Sequence, residues 1–121
     1  MDWIIIAITI ALLIAYIFLR RKGQISADQA VARLKQGAVL IDVRSPAEYG
    51  AGHLKGAINI PLQEIDSLIG RQVKDKDQVL LLHCQSGMRS GMAKNRLNAL
   101  GYTRAYNLGS YDRAAHIVSR A

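Results

Sequence analysis

Disulfides are the first thing this chain cannot build. Cys84 is the only cysteine in 121 residues, so no intrachain bridge can form and a stapled, secreted mini-domain is excluded. One thiol and three histidines at these spacings make neither a zinc ribbon nor an iron–sulfur cluster. No metal site and no cofactor are expected. Two prolines and ten scattered glycines exclude a collagen-like or long disordered chain. Aromatic residues are scarce, at 6%, and the basic residues from Arg33 to Arg120 form no run and are not interleaved with aromatics. Nucleic acid is therefore not an expected partner. The length suits one small domain, too short for a multidomain enzyme or a large cofactor-binding architecture.

Charge is missing altogether from residues 3–19, Trp-Ile-Ile-Ile-Ala-Ile-Thr-Ile-Ala-Leu-Leu-Ile-Ala-Tyr-Ile-Phe-Leu. As a helix this stretch would extend ~25 Å, the short end of what spans a hydrocarbon core of ~30 Å. Trp3 at one end and Arg20, Arg21 and Lys22 at the other suit the two interfaces and cover the shortfall. A cleaved signal peptide fits less well. No positive residue precedes the apolar run, and no small-x-small cleavage site separates it from the basic cluster. Residues 1–23 are thus expected to be a single-pass membrane anchor with its basic flank, and residues 24–121 the folded domain. Three cations follow the span and only Asp2 precedes it, so the positive-inside rule places the domain in the cytoplasm. A free thiol suits that compartment. Of the formal charge of +7, thirteen of sixteen basic and eight of nine acidic residues lie after Gly23. Such a mildly basic domain attracts small anions.

Beyond Gly23 the punctuation is regular. Ser26-Ala-Asp-Gln29 is a capping-box pattern opening a helix with Ala30, Val31 and Leu34 on one face, closed by Gly37. Residues 38–42 form a short apolar run, as in a strand buried on both faces. Ser45-Pro-Ala-Glu48 is a second capping box with proline at the favoured first position. Residues 57–60 read as a strand ended by Pro61, and Leu62, Ile65, Leu68 and Ile69 as a helical stripe. Residues 79–83 are the strongest strand. A helix from about Ser90 to Leu100 should turn Met92, Ala93, Leu97 and Leu100 inward. Residues 105–108 make a last strand, and residues 111–120 a last helix. Helices between short buried strands specify an α/β domain with a largely parallel sheet.

In such sheets ligands gather beyond the carboxyl ends of the strands. Two segments lie there: Asp42-Val-Arg44 and Cys84-Gln85-Ser86-Gly87-Met88-Arg89. In the second, a buried strand delivers the cysteine and a helix starts a few residues later. Gly87 lets the short loop curl so that successive N–H groups point inward. Those donors, the helix N-terminus and Arg89 would all favour a negative sulfur. A free thiol with a pKa of ~8.5 is a few per cent ionised at neutral pH. Lowering it by about two units, or ~2.7 kcal/mol of differential stabilisation, makes it mostly thiolate. A lone cysteine is more commonly an inert core residue, but those sit within strands or helix faces, whereas Cys84 stands at a strand's end with Gly and Arg close behind.

Cys84-Gln-Ser-Gly-Met-Arg-Ser90, Asp42-Val-Arg-Ser-Pro-Ala-Glu-Tyr49 and Gly52-His-Leu-Lys-Gly-Ala-Ile-Asn-Ile-Pro61 together resemble the rhodanese sulfurtransferases. The likeness runs from about Ile25 to Leu108. It implies a rhodanese-like α/β fold around a parallel five-stranded sheet flanked by helices. It also implies a cysteine that takes sulfane sulfur from a small anionic donor such as thiosulfate and passes it to cyanide, a thiol or a protein acceptor. Thiolate attack gives a Cys84 persulfide that an acceptor nucleophile then removes, which is covalent, ping-pong chemistry requiring no second cysteine. Phosphatases and arsenate reductases also use a cysteine in an anion cradle, but with five residues before the arginine; four separate Cys84 from Arg89. A second class of reading is a membrane-tethered, non-catalytic module that binds a partner or senses thiols.

The remaining candidates are expected either to bind substrate or to brace the loop. Gln85, Ser86, Gly87, Met88 and Arg89 are expected to form the substrate-binding loop; Arg89 either contacts the anion or pairs with a carboxylate. Asp42, Arg44 and Glu48 are expected to brace it, Glu48 first as a helix cap. His53 is expected to stabilise a turn, His83 to pack beside the nucleophile, and His116 to face solvent. The family usually ends with Leu-x-Gly-Gly and a downstream tryptophan, a region that shapes one wall of the pocket mouth. Here Ser110 stands at the second glycine, and the only tryptophan is Trp3.

Overall fold

A computed structural model describes residues 2–21 and 23–121. Lys22, one of the three cations assigned to the anchor's flank, lies outside them. Helix α1, Asp2–Arg21, has 20 residues and so extends ~30 Å. None of its apolar window, Asp2–Leu19, is buried against the rest of the chain. Length and composition suffice to cross a membrane.

The domain alternates helix and strand: α2 Ala27–Lys35, β1 Val39–Asp42, α3 Pro46–Ala51, β2 Ile58–Asn59, a 3-10 turn Leu62–Glu64, α4 Ile65–Gln72, β3 Leu80–His83, α5 Met88–Ala99, β4 Ala105–Gly109 and α6 Tyr111–Arg120. The strands are all parallel, in the order β2-β1-β3-β4. Successive strand side chains point to opposite faces, which divides the core in two. Ile41, Leu80 and Leu82 pack with Ile65 and Ile69 of α4 and Ala93 and Leu97 of α5. Leu40 and Leu81 pack on the other face with Ala30 and Val31 of α2 and Ala114 and Ile117 of α6. This two-sided burial is why the strands read as unbroken apolar runs.

The five-stranded sheet implied by the family resemblance does not form among the described residues, where the sheet has four strands. Beside β4, Gln24 pairs with Asn107 as an isolated parallel bridge, and the Ile25 N–H bonds the Asn107 carbonyl at 3.1 Å. Ser26 caps α2 immediately afterwards, accepting from the Gln29 N–H, so the backbone turns helical before a ladder can grow. The second capping box forms in full between Ser45 and Glu48.

Helix α5 also departs from expectation. Ser90, Ala93 and Leu97 face the sheet, while Met92 is 53% and Leu100 37% exposed. Residues spaced by three and four share a helix face; Met92 falls off the stripe, and Leu100 lies past the last turn.

Candidate active site

Strand β3 is buried along its whole length and delivers Cys84 to the carboxyl edge of the sheet. The Cys84 N–H points to the Gly109 carbonyl at 3.4 Å, and the Tyr111 N–H bonds the Gln85 carbonyl at 3.2 Å. Ser86 pairs with Ser110 in an isolated antiparallel bridge. The loop is thereby fastened to the turn between β4 and α6. Ser110, at the family's second glycine, caps α6 by accepting from the Arg113 N–H at 3.2 Å. Helix α5 begins at Met88, two residues earlier than expected, with Gly87 as its N-cap at φ +94°. A Cβ on Gly87 would lie 3.2 Å from the Gly109 Cα and carbonyl carbon. Backbone approach and a left-handed conformation both demand glycine there.

The consequence is a set of donors converging on sulfur. The Gly87 N–H reaches Cys84 Sγ at 3.0 Å, and the Ser90 hydroxyl oxygen stands 3.5 Å from it. Burial pushes the thiol's pKa up, but the Ser90 hydroxyl and the backbone N–H groups of Ser90, Gly87 and Ser86 pull it down, and they prevail. These donors favour the charged form directly. Cys84 itself has 0% exposure and forms the floor of the loop. Gln85, Ser86 and Met88 are exposed at the mouth.

Two residues absent from the sequence-based site complete it. Ser90 is fully buried, and Asn107, on β4, is 6% exposed. Asn107 Oδ1 accepts from the Ser90 hydroxyl at 2.7 Å and from the Gly109 N–H at 2.8 Å, while its Nδ2 donates to the Gly87 carbonyl at 3.1 Å. A polar residue in the short apolar run Ala105-Tyr-Asn-Leu108 was the available signal, since a buried amide needs partners.

Asp42 and Arg44 brace their own turn and touch the loop only through intermediaries. Asp42 accepts from the Arg44 backbone N–H at 2.9 Å and from its guanidinium Nε and Nη2 at 3.0 and 2.8 Å. Arg44 Nη2 also donates to the Gly52 carbonyl at 2.8 Å, and its guanidinium lies 4.8 Å from the centroid of the Tyr111 ring. His83 fills the space between: its Nδ1 is 3.4 Å from the Cys84 carbonyl and its Nε2 3.7 Å from Asp42 Oδ2. Burial lowers the His83 pKa, more than Asp42 and the Cys84 carbonyl raise it, so the ring is neutral at neutral pH. His53 stacks on Tyr49 and bonds its carbonyl at 3.0 Å; His116 is exposed. Among the described residues no group of three or more His, Cys, Asp or Glu side chains is placed to hold a metal ion.

Arg89 turns away from the cradle to Glu48, which it grips through two bonds of 2.6 and 2.9 Å. Glu48 therefore ties α3 to the start of α5 while still capping Ser45. The Arg89 guanidinium, then the Ser45 N–H, hold the Glu48 carboxyl well below its ordinary 4.5, at about 2. The folded state thus binds fewer protons than the unfolded one between those values. The pair's stabilisation is complete above the ordinary value and is lost as pH falls through about 2. An NMR titration should find Glu48 still ionised at about pH 3.5, and Arg89→Ala should return its midpoint toward 4.5.

The Rhodanese-like domain family model matches residues 26–114. The thiosulfate sulfurtransferase PspE of Escherichia coli (strain K12) is 45% identical over 69 residues, which cover 57% of this chain and 66%, slightly under two thirds, of that protein. The thiosulfate:glutathione sulfurtransferase of Homo sapiens is 37% identical over 87 residues, 61% of this chain and 76% of that one. Among solved structures, the human single-domain sulfurtransferase TSTD1 aligns with a TM-score of 0.66 at 30% identity, covering 78% of this chain and 96% of its own. A rhodanese with anions from E. coli aligns at 0.61 and 40% identity, covering 64% and 91%. The matched residues take in both capped helix starts at Ser26 and Ser45, the four strands and the Cys84 loop, and the chain belongs to the rhodanese-like domain family.

Proposed function

We propose that this protein is a rhodanese-type sulfurtransferase that moves sulfane sulfur from a thiosulfate-like donor to a thiol or cyanide through a persulfide on Cys84. The observation carrying this reading is the convergence of the Gly87 N–H and the Ser90 hydroxyl on the chain's one sulfhydryl. In the first half-reaction the thiolate attacks the outer sulfur of thiosulfate; the S–S bond breaks and sulfite leaves with the electron pair. In the second, an acceptor nucleophile takes the terminal sulfur and Cys84 Sγ departs as thiolate. Both halves pass through a negatively charged sulfur beside the same donors, which stabilise that charge. The names of the relatives support thiosulfate as donor, and the human one a thiol as acceptor. Intact-mass spectrometry of the full chain after thiosulfate exposure should show a gain of one sulfur atom, removed by a reductant. An unchanged mass under conditions where Cys84 still alkylates would leave a thiol-binding module in place of a transferase.

We infer further that α1 tethers the domain to the cytoplasmic face of a membrane. Support comes from the uncharged run of residues 3–19 and the cations Arg20, Arg21 and Lys22 that follow it. In sealed, oriented vesicles, protease added outside should leave the domain intact and protease added to the cytoplasmic side should remove it. The reverse pattern, or recovery of the chain in the soluble fraction after cleavage within residues 1–23, would overturn the assignment.

A further inference from the structure

Ser90 has one hydroxyl proton and three acceptors around it. Asn107 Oδ1 stands at 2.7 Å, the Gly87 carbonyl at 3.2 Å and Cys84 Sγ at 3.5 Å. Distance and acceptor strength both place the proton on Asn107 while the sulfur is a neutral thiol, since a thiol sulfur is a weak acceptor. A thiolate is a far stronger one. The Asn107 amide cannot turn over to relieve the competition. Its Oδ1 also accepts from the Gly109 N–H at 2.8 Å, and its Nδ2 donates to the Gly87 carbonyl at 3.1 Å.

We propose that Asn107 and Cys84 Sγ compete for the single Ser90 proton, which turns to the sulfur only while that sulfur carries charge. Through a catalytic cycle the hydroxyl then has two positions. It faces Asn107 when Cys84 is a thiol, and again when Sγ is the uncharged inner atom of the persulfide. It faces Sγ in the free thiolate, and as Sγ leaves with the electron pair in the second half-reaction. The thiol's own proton departs to water; the Ser90 proton stays on its oxygen throughout. Ser90 is a catalytic residue in this scheme because it touches the reacting atom, and Asn107 is a positioning residue acting through it. The cycle rests on the sulfur-transfer reading above. The competition itself does not, because it concerns only the ionisation of the thiol.

Removing the competitor should therefore make the thiolate easier to form. Alkylation with iodoacetamide across pH reads Cys84 alone, since the chain has no other cysteine. Asn107→Leu, of similar volume, should shift the alkylation pKa downward by roughly half a unit, about threefold more thiolate on the acid side. Ser90→Ala should shift it upward. Combined with Ser90→Ala, Asn107→Leu should have no further effect, because there is no proton left to contest. Asn107→Ser, too short to reach Ser90, should reproduce the downward shift if the leucine variant does not fold. A purely structural role for Asn107 predicts lower thermal stability with the same pKa, or equal shifts with and without the Ser90 hydroxyl. Either result, or an upward shift in Asn107→Leu and Asn107→Ser, overturns the proposal. Failure of sulfur transfer with the alkylation pattern intact would instead overturn the transferase reading.

Discussion

Cys84→Ser should abolish thiosulfate:cyanide sulfur transfer, with a loss on the order of ten-thousandfold or more, because no other group in the chain can form the persulfide. A serine hydroxyl keeps the donors around Sγ satisfied in part, since the Gly87 N–H, 3.0 Å from sulfur, retains an acceptor. The substitution therefore separates chemistry from folding. Thermal unfolding should change by the equivalent of about 1 kcal/mol or less, while the mass gain after thiosulfate disappears. Residual transfer above about a tenth of the parent rate would show that the cradle, not the nucleophile, performs the reaction.

The second large effect falls on stability. Asp42 is fully buried, and Arg44 is 5% exposed, their side chains paired at 2.8 Å. Asp42→Ala leaves a guanidinium in the interior with the Gly52 carbonyl as its remaining hydrogen-bond acceptor. Stripping one partner from a buried ion pair costs about 3–5 kcal/mol, against a total stability for such a domain of roughly 5–15 kcal/mol. At roughly 4–8 °C per kcal/mol for a domain of this size, calorimetry should record a fall of more than about ten degrees. Adding Arg44→Met should recover most of it, because the orphaned charge goes too. A single-variant loss below about 1 kcal/mol would show that Arg44 finds water on its own. Sulfur transfer measured well below the new midpoint should change far less than stability, because Asp42 and Arg44 reach the loop only through His83 and Tyr111.

These two substitutions differ in how visible their targets were. Cys84 stands at the end of an apolar run, followed by Gly87 and Arg89, and that local pattern alone singles it out as a candidate nucleophile. Asp42 stands at the end of another such run, which marks the carboxyl edge of a strand but not what the carboxylate holds. Ser45 and Glu48 were legible because a capping box is closed within three residues, and the bond between them forms as the spacing requires. The role of Ser90 was not legible: it opens the expected helix, and only its distance from Sγ reveals a donor. Asn107 was harder still. Its importance comes from Ser90, 17 residues away, and from Gly87, 20 residues away.

Alone, the order of residues determined an uncharged segment of membrane-spanning length, strands buried on both faces, helix starts at Ser26 and Ser45, and a lone thiol separated from an arginine by four residues. All of these depend on neighbours within a turn or a strand. Tertiary structure decided that the sheet stops at four strands, that Arg89 closes on Glu48 across 41 residues, and that Asn107 stands over Ser90. Side chains far apart in the chain meet only once strand register and helix rotation are set, and those follow from packing the whole core at once.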